Sequence, residues 1–300
     1  MIKFDEVIKN EKLFLSMTSL KPYEFKILLP KFEECYNNYE ANLIEEKETR
    51  TRGYGGGRKS VLTRCEDKLL FILFYLKLYP LQILIGFLFG MGQSQANEWI
   101  HKLSRVLKMT LDMMDLSPER DPQKLEEKLS ENKVEDVVID GTDRPIQRPK
   151  DKEKQEACYS GKKKRHTVKN NVIVNVEERE VEYLSGTYEG KKHDKKICDE
   201  EGLVFPKGIN MLQDTGFQGY NPEGVNIIQP KKKPRGGNLS VEEKVQNAII
   251  SGVRVVVEHV IGGVKRCRIV KDVFRNTKEK YDDTVMEIAC GLHNLRAQCR

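Results

Sequence analysis

The sequence predicts an α/β domain of layered helices and sheet, preceded by an all-α region. Three observations carry this. Up to about residue 114 the apolar residues recur at helical spacings. After the stretch SPERDPQK (Ser117–Lys124) short β-branched runs appear, two of them ending in an aspartate. Two long helical patterns then close the chain, and strands followed by helices read as a layered domain. The expected organisation is an N-terminal helical segment at 1–50, a second helical region at 51–130 and an α/β domain at 131–300.

Residues 1–45 read as helical, with Phe25, Leu28, Leu29, Phe32 and Tyr36 on one stripe and Pro30 as a kink. A packing or dimer helix is the expectation. Residues 46–60 carry Gly53 and Gly55 to Gly57 in a basic linker. The GYGGGRK run lacks the preceding strand and the spacing of a phosphate loop.

From Leu62 to Met114 the pattern predicts three helices: Arg64–Leu78, one between Pro80 and Gly90, and one after the turn GMGQ. Leu69–Met91 is long enough to span a bilayer. Lys77, Pro80 and Gln82 near its centre favour buried soluble helices instead, so no membrane partner is expected. Ser94 is the expected N-cap of the third helix, with Trp99, Leu103 and Val106 on its apolar stripe. Two helices joined by a glycine-containing turn form either a helix-turn-helix or a plain hairpin. In the first case Gln93, Ser94, Gln95, Asn97 and Lys102 suit contact with base edges.

In the second half, Val134–Asp140 reads as a strand stopped by Gly141 and Pro145. His166–Val176 and Glu180–Leu184 read as an antiparallel pair joined through the polar EERE turn. Asn210–Gln213 leads into Asp214, and Asn226–Gln229 is a further short strand before the basic loop KKKPRGGN. Ser240 and Glu243 have the spacing of a capping box, so a helix is expected from Val241. In it Val253, Val257, Val260 and Val264 share one face while Arg254, Glu258 and Lys265 share an adjacent polar edge. Gly252, Gly262 and Gly263 are expected to weaken or bend it. A last helix spans Tyr281–Gln298.

The formal net charge is +6, from 52 basic and 46 acidic residues. Its distribution is uneven: Arg144–Lys169 holds ten Lys or Arg against three acids, which favours a polyanionic partner. Seven cysteines with no CxxC pair, behind a start without a signal-length apolar core, read as reduced thiols in the cytoplasm.

Asp140 and Asp214 end predicted strands, and Glu258 lies on a helix edge. Three such acids either serve separate structural roles or converge. Converged, they would repel one another unless a hard cation such as Mg²⁺ or Mn²⁺ lay between them.

The motifs IDGTDRPIQRP (139–149), YSGKKKRHTVKN (159–170), LQDTGFQGY (212–220) and VEHVIGGVKR (257–266) resemble those of DDE transposases. The closest resemblance is to bacterial insertion-sequence transposases of the "IS five" family, and GGGRKSVLTRCEDKLLFILFYLKLYPLQ resembles that family's helix-turn-helix region. The resemblance implies an RNase H-like fold, a mixed sheet flanked by helices, with Asp140, Asp214 and Glu258 as the catalytic, metal-binding triad for two Mg²⁺ or Mn²⁺ ions. Arg254 and Lys265 match the arginine and lysine of the signature around the glutamate, whereas Ser251 stands where a tyrosine is expected. His193 and Asp194 resemble a recurrent His-Asp pair of these domains, for which loop bracing is expected.

The implied activity is DNA cleavage and strand transfer in the prokaryotic cytoplasm, at the nucleoid. Its partners would be double-stranded DNA, as terminal inverted repeats and target, and a second copy of the chain. Arg254 and Lys265 would hold phosphates near the ions, while Lys162, Lys163, Lys164, Arg165 and Lys231, Lys232, Lys233 would contact the DNA backbone. Competing readings are a DNA-binding protein without activity and a nuclease that cuts without joining.

Overall fold

The computed structural model describes residues 1–45, 60–232 and 237–300, without the side chains of 43–45. The glycine linker, the GYGGGRK run and Lys233 lie outside the described residues. The chain packs as two units, one of residues 1–116 with 266–269 and 299, the other of 117–265 with 270–298 and 300.

The first unit is helical: α1 Phe4–Val7, α2 Glu11–Thr18, α3 Pro22–Glu45, α4 Cys65–Leu78, α5 Gln82–Phe89 and α6 Gln93–Met113. Helix α3 buries Phe25, Leu28 and Phe32, as its stripe predicts, and Pro30 lies within it. The membrane-length stretch folds as a helical hairpin whose first helix is buried. Every residue from Leu69 to Leu76 is buried, and Tyr79 at φ 47° ends α4 ahead of Pro80. Helix α6 begins two residues earlier than expected. Gly92 is its N-cap and Ser94 lies inside the first turn, because Gly92 holds the extended backbone that the cap requires. Ala96, Ile100, Leu103 and Leu107 form its buried face, while Trp99 is only half-buried.

The second unit is a seven-stranded mixed sheet ordered β2-β3-β1-β6-β7, with β4 and β5 also pairing to β3. The strands are β1 Asp136–Pro145, β2 Tyr159–Ser160, β3 Arg165–Asn175, β4 Val181–Leu184, β5 Tyr188–Glu189, β6 Asn210–Gln213 and β7 Asn226–Ile228. The helices are α7 Leu125–Glu131, α8 Lys152–Cys158, α9 Asp194–Glu201, α10 Val241–Val264 and α11 Tyr281–Gln298. A mixed-sheet α/β unit behind a helical one is the predicted class. Strand β1 does not stop at Gly141: its antiparallel ladder with β3 continues from Asp140↔Val172 to Pro145↔Thr167. Pro145 closes the strand, and its carbonyl accepts from the Phe274 N–H at 2.9 Å.

Alternation along β1 sorts the two faces. Val137 and Ile139 join Leu125, Leu129, Ile173, Tyr183 and Met211 in one core cluster. Val138, and with it Asp140, points to the opposite face. There Val257, Val260 and Val264 of α10 are buried.

Helix α10 runs unbroken from its capping box at Ser240 and Glu243, despite its glycines. Gly263 is a site of close approach. A Cβ there would stand 2.3 Å from Nδ1 of His293, and the Gly263 carbonyl accepts a 2.8 Å bond from Arg296. Gly252 faces open space. Two Gly→Ala exchanges in one helix should therefore have opposite signs. Gly252→Ala should stabilise by about 0.5–1 kcal/mol through backbone entropy. Gly263→Ala should lose that gain to overpacking and destabilise by about 1–3 kcal/mol. Urea unfolding of the two variants checks the contrast.

Candidate active site

The strand register brings two of the three predicted acids together. Strands β1 and β6 are parallel neighbours with Ile139 opposite Gln213, so Asp140 and Asp214 occupy the next positions side by side. Asp214 leaves the strand to cap a 3₁₀ turn at 215–217, accepting from the Thr215 N–H at 2.6 Å. Its carbonyl accepts from Gln229 at 2.7 Å, which ties the turn to the end of β7. Asp140 accepts from the Gly141 N–H at 2.8 Å.

The Asp140 carboxyl is pushed up to about 6, mainly by burial, with the negative charges of Asp194 and Asp214 adding to the rise. The Gly141 hydrogen bond and Arg254 act against it but do not cancel it. Two facing acids, one of them undercompensated, form a hard-oxygen donor set that suits Mg²⁺ or Mn²⁺.

Helix α10 supplies the third side of the site. A guanidinium nitrogen of Arg254 stands 3.4 Å from Asp214 Oδ2. The Nε of Arg254 is buried without a hydrogen-bond partner among the described residues. Arg254 thus provides the positive charge that an acid pair needs. Glu258, one turn further along, is exposed. The structure does not draw it in: no group of three acids, histidines or cysteines close enough to hold an ion occurs among the described residues. Lys265, at the end of α10, is half-buried and donates to the Asp143 carbonyl at 3.2 Å. Burial lowers its pKa, and the nearby cations Lys163 and Arg144 add to the fall. Its ammonium therefore secures α10 to β1 rather than standing free for a phosphate.

Asp194 is a site neighbour that sequence reasoning placed only as a brace. It opens α9, pairs with Lys169 at 2.9 Å, and its carbonyl accepts from Asn171 at 2.8 Å. A Cβ on Gly141 would come within 2.6 Å of its carboxylate. Gly141, which looked like a strand terminator, is the gap that admits Asp194 beside Asp140. His193 caps α9 by its backbone position alone and is exposed.

In the sequence Arg144 is only one member of a basic stretch. It is wholly buried, donating to Asn170 (3.1 Å), the Asp282 carbonyl (2.6 Å) and Thr187 (2.9 Å). These bonds join β1, β3 and the start of α11.

The other expected contacts divide. Lys162, Lys163, Lys164 and Arg165 are exposed at the β2–β3 turn. Lys231 is engaged by Glu243 at 3.2 Å, and Lys232 donates to Gln218. In the helical unit Ser94 is exposed, and Gln95 and Asn97 are half-buried on the first turns of α6. Lys102 differs from them: it pairs with Glu40 and lies 5.1 Å from the centres of the Tyr36 and Trp99 rings. Packed between aromatic rings and a carboxylate, it is held away from base edges.

Comparison with known proteins agrees with this architecture. Residues 139–294 match a family described as "DDE superfamily endonuclease", and residues 61–112 match "Helix-turn-helix of DDE superfamily endonuclease". The chain is 27% identical over 244 residues to "Probable transposase for insertion sequence element IS702" of Microchaete diplosiphon, covering 81% of this chain and 84% of that protein. No solved structure matches.

Proposed function

The chain belongs to the DDE superfamily of endonucleases, and from that premise we propose that it is the transposase of an insertion sequence. It would bind terminal inverted repeats, cleave the DNA at them and transfer the freed strand to target DNA. The observation that carries this reading is the placement of Asp214, just past the end of β6, next to Asp140 on the parallel strand β1, with Arg254 paired to Asp214.

Asp140 and Asp214 would hold the divalent cations, Mg²⁺ or Mn²⁺, with Glu258 as the third ligand. When bound there, two such ions would supply Lewis-acid stabilisation of phosphate oxygens and a nucleophilic water at neutral pH. The protein's own residues provide the rest. The raised affinity of Asp140 for protons marks a carboxylate that gains from a neighbouring cation. Arg254, which reaches Asp214 from α10, would offer its guanidinium to a phosphate oxygen. Lys265 and the Arg144 network hold β1 and α10 in place, and Asp194 braces the strand at Gly141. Because water and a 3′ hydroxyl would attack in the same site, no covalent protein–DNA intermediate is required.

DNA would be held by sequence-independent backbone contacts from the exposed Lys162–Arg165 turn. The first turns of α6, with Ser94, Gln95 and Asn97, would read bases of the repeat. Lys231 and Lys232 would add backbone contact only after releasing Glu243 and Gln218. Pairing two element ends asks for at least two copies of the chain on nucleoid DNA in the cytoplasm.

The test is incubation of the purified protein with a labelled terminal-repeat duplex and Mg²⁺ or Mn²⁺. Cleavage followed by joining to a second duplex is the expected result. Cleavage without joining would reduce the reading to a nuclease, and binding with no reaction in either metal would leave a DNA-binding protein.

A further inference from the structure

Among the described residues, the helical unit carries an exposed apolar surface. On α5 and the residue before it, Leu81, Ile83, Leu84 and Phe87 are 57%, 63%, 48% and 80% exposed. Their spacings of three and four place them on one helix face. Phe87 continues this face into a groove of about 650 Å³ lined with Met1, Val7, Leu13 and Met17. Met1 and Leu13 are themselves 63% and 45% exposed. These six side chains together present on the order of 600 Å² of apolar surface. That is the upper limit for the largest patch of an ordinary monomer and approaches the roughly 800 Å² each partner gives a standard interface.

The chemistry selects the occupant. Helix α5, QILIGFLF, contains no charged residue, and the groove includes Glu6. Among the described residues the groove's charges are the Glu6 carboxylate and the Met1 ammonium, which offset one another, and a DNA backbone would find no basic side chain along α5. A protruding aromatic beside an apolar groove is a knob next to a hole. A twofold axis between them seats each copy's knob in the other's hole, which is the self-complementarity of an isologous interface.

We infer that the face formed by α5 and the groove beside Phe87 is the surface through which two copies of this chain pair, before DNA is bound. The area is large enough for a dimer, and an aromatic knob filling a pocket is the usual energetic centre of such an interface. The pairing uses neither the acids nor a metal, so it can fail while the proposed reaction stands.

Sedimentation of the full chain without DNA at roughly 100 µM, where micromolar affinity saturates, should show a dimer. The double variant Ile83→Lys, Phe87→Glu should sediment as a monomer with unchanged far-UV circular dichroism and unchanged binding to a single-repeat duplex. As a second measurement, photoreactive benzoylphenylalanine in place of Ile83 should yield a species of doubled mass, crosslinked within residues 1–17 of the other copy. A wild-type monomer, a double variant that still dimerises, or a crosslink mapping elsewhere on the second copy would overturn the assignment. Capture of an unrelated protein by a monomeric wild type would do so as well.

Discussion

Asp140→Asn is expected to reduce cleavage by a factor on the order of 10³, about 4 kcal/mol of transition-state stabilisation, while making the metal-free protein more stable at neutral pH. The two effects share one cause. Burial lifts the Asp140 carboxyl from the ordinary 3.8 to about 6. The folded chain therefore binds this proton more tightly than the unfolded chain does. Its contribution to stability is fully present below about 3.8 and is lost as pH rises through about 6. Above that, the ionised carboxylate costs the fold at most about 3 kcal/mol. Asparagine removes the charge and can keep the Gly141 hydrogen bond. Thermal melts of both proteins should diverge above pH 6 and converge below pH 4. Added Mn²⁺ should stabilise the wild type at pH 7.5 and have a much smaller effect on the variant. A variant with wild-type cleavage, or equal melting curves throughout, would remove Asp140 from the site.

What the sequence made legible follows from the range of each signal. Helix α10 was readable almost to the residue, because its capping box and valine stripe are local patterns. The β3–β4 hairpin was readable for the same reason, as alternating strands around a polar turn. The pairing of Asp140 with Asp214 was expected only through the resemblance to a family, since 74 positions separate them and a register has no local signature. Three features were missed or misread. Gly141 looked like a strand end, yet the ladder with β3 overrides its weak strand propensity. Lys102 looked like a base-reading side chain because its partners Glu40 and Tyr36 lie on another helix. Arg144 was counted in a basic patch, although its guanidinium is buried among Asn170, Thr187 and the Asp282 carbonyl. In each case a tertiary contact outweighed the preference visible along the chain.

Glu258→Gln is the sharper test of the triad, because here stability and activity should separate completely. Glu258 is exposed, and it shares the polar edge of α10 with Arg254 one turn earlier. Exchanging an exposed carboxylate for its isosteric amide should change stability by less than about 0.5 kcal/mol. It should also leave binding to a terminal-repeat duplex unchanged, since that is proposed to rest on α6 and the Lys162–Arg165 turn. Cleavage and strand transfer should nevertheless fall by a factor on the order of 10³, as expected when a charged metal ligand is replaced by a neutral one. Arg254, on the same helix edge, pairs with Asp214 at the site. Three converging carboxylates repel one another without a cation, so as a third ligand the exposed Glu258 would gain from one held by Asp140 and Asp214. Mn²⁺ titration of the melting temperature should then show a weaker apparent affinity in Glu258→Gln than in the wild type. Full activity with wild-type Mn²⁺ affinity would show that α10 contributes Arg254 to the site and no ligand.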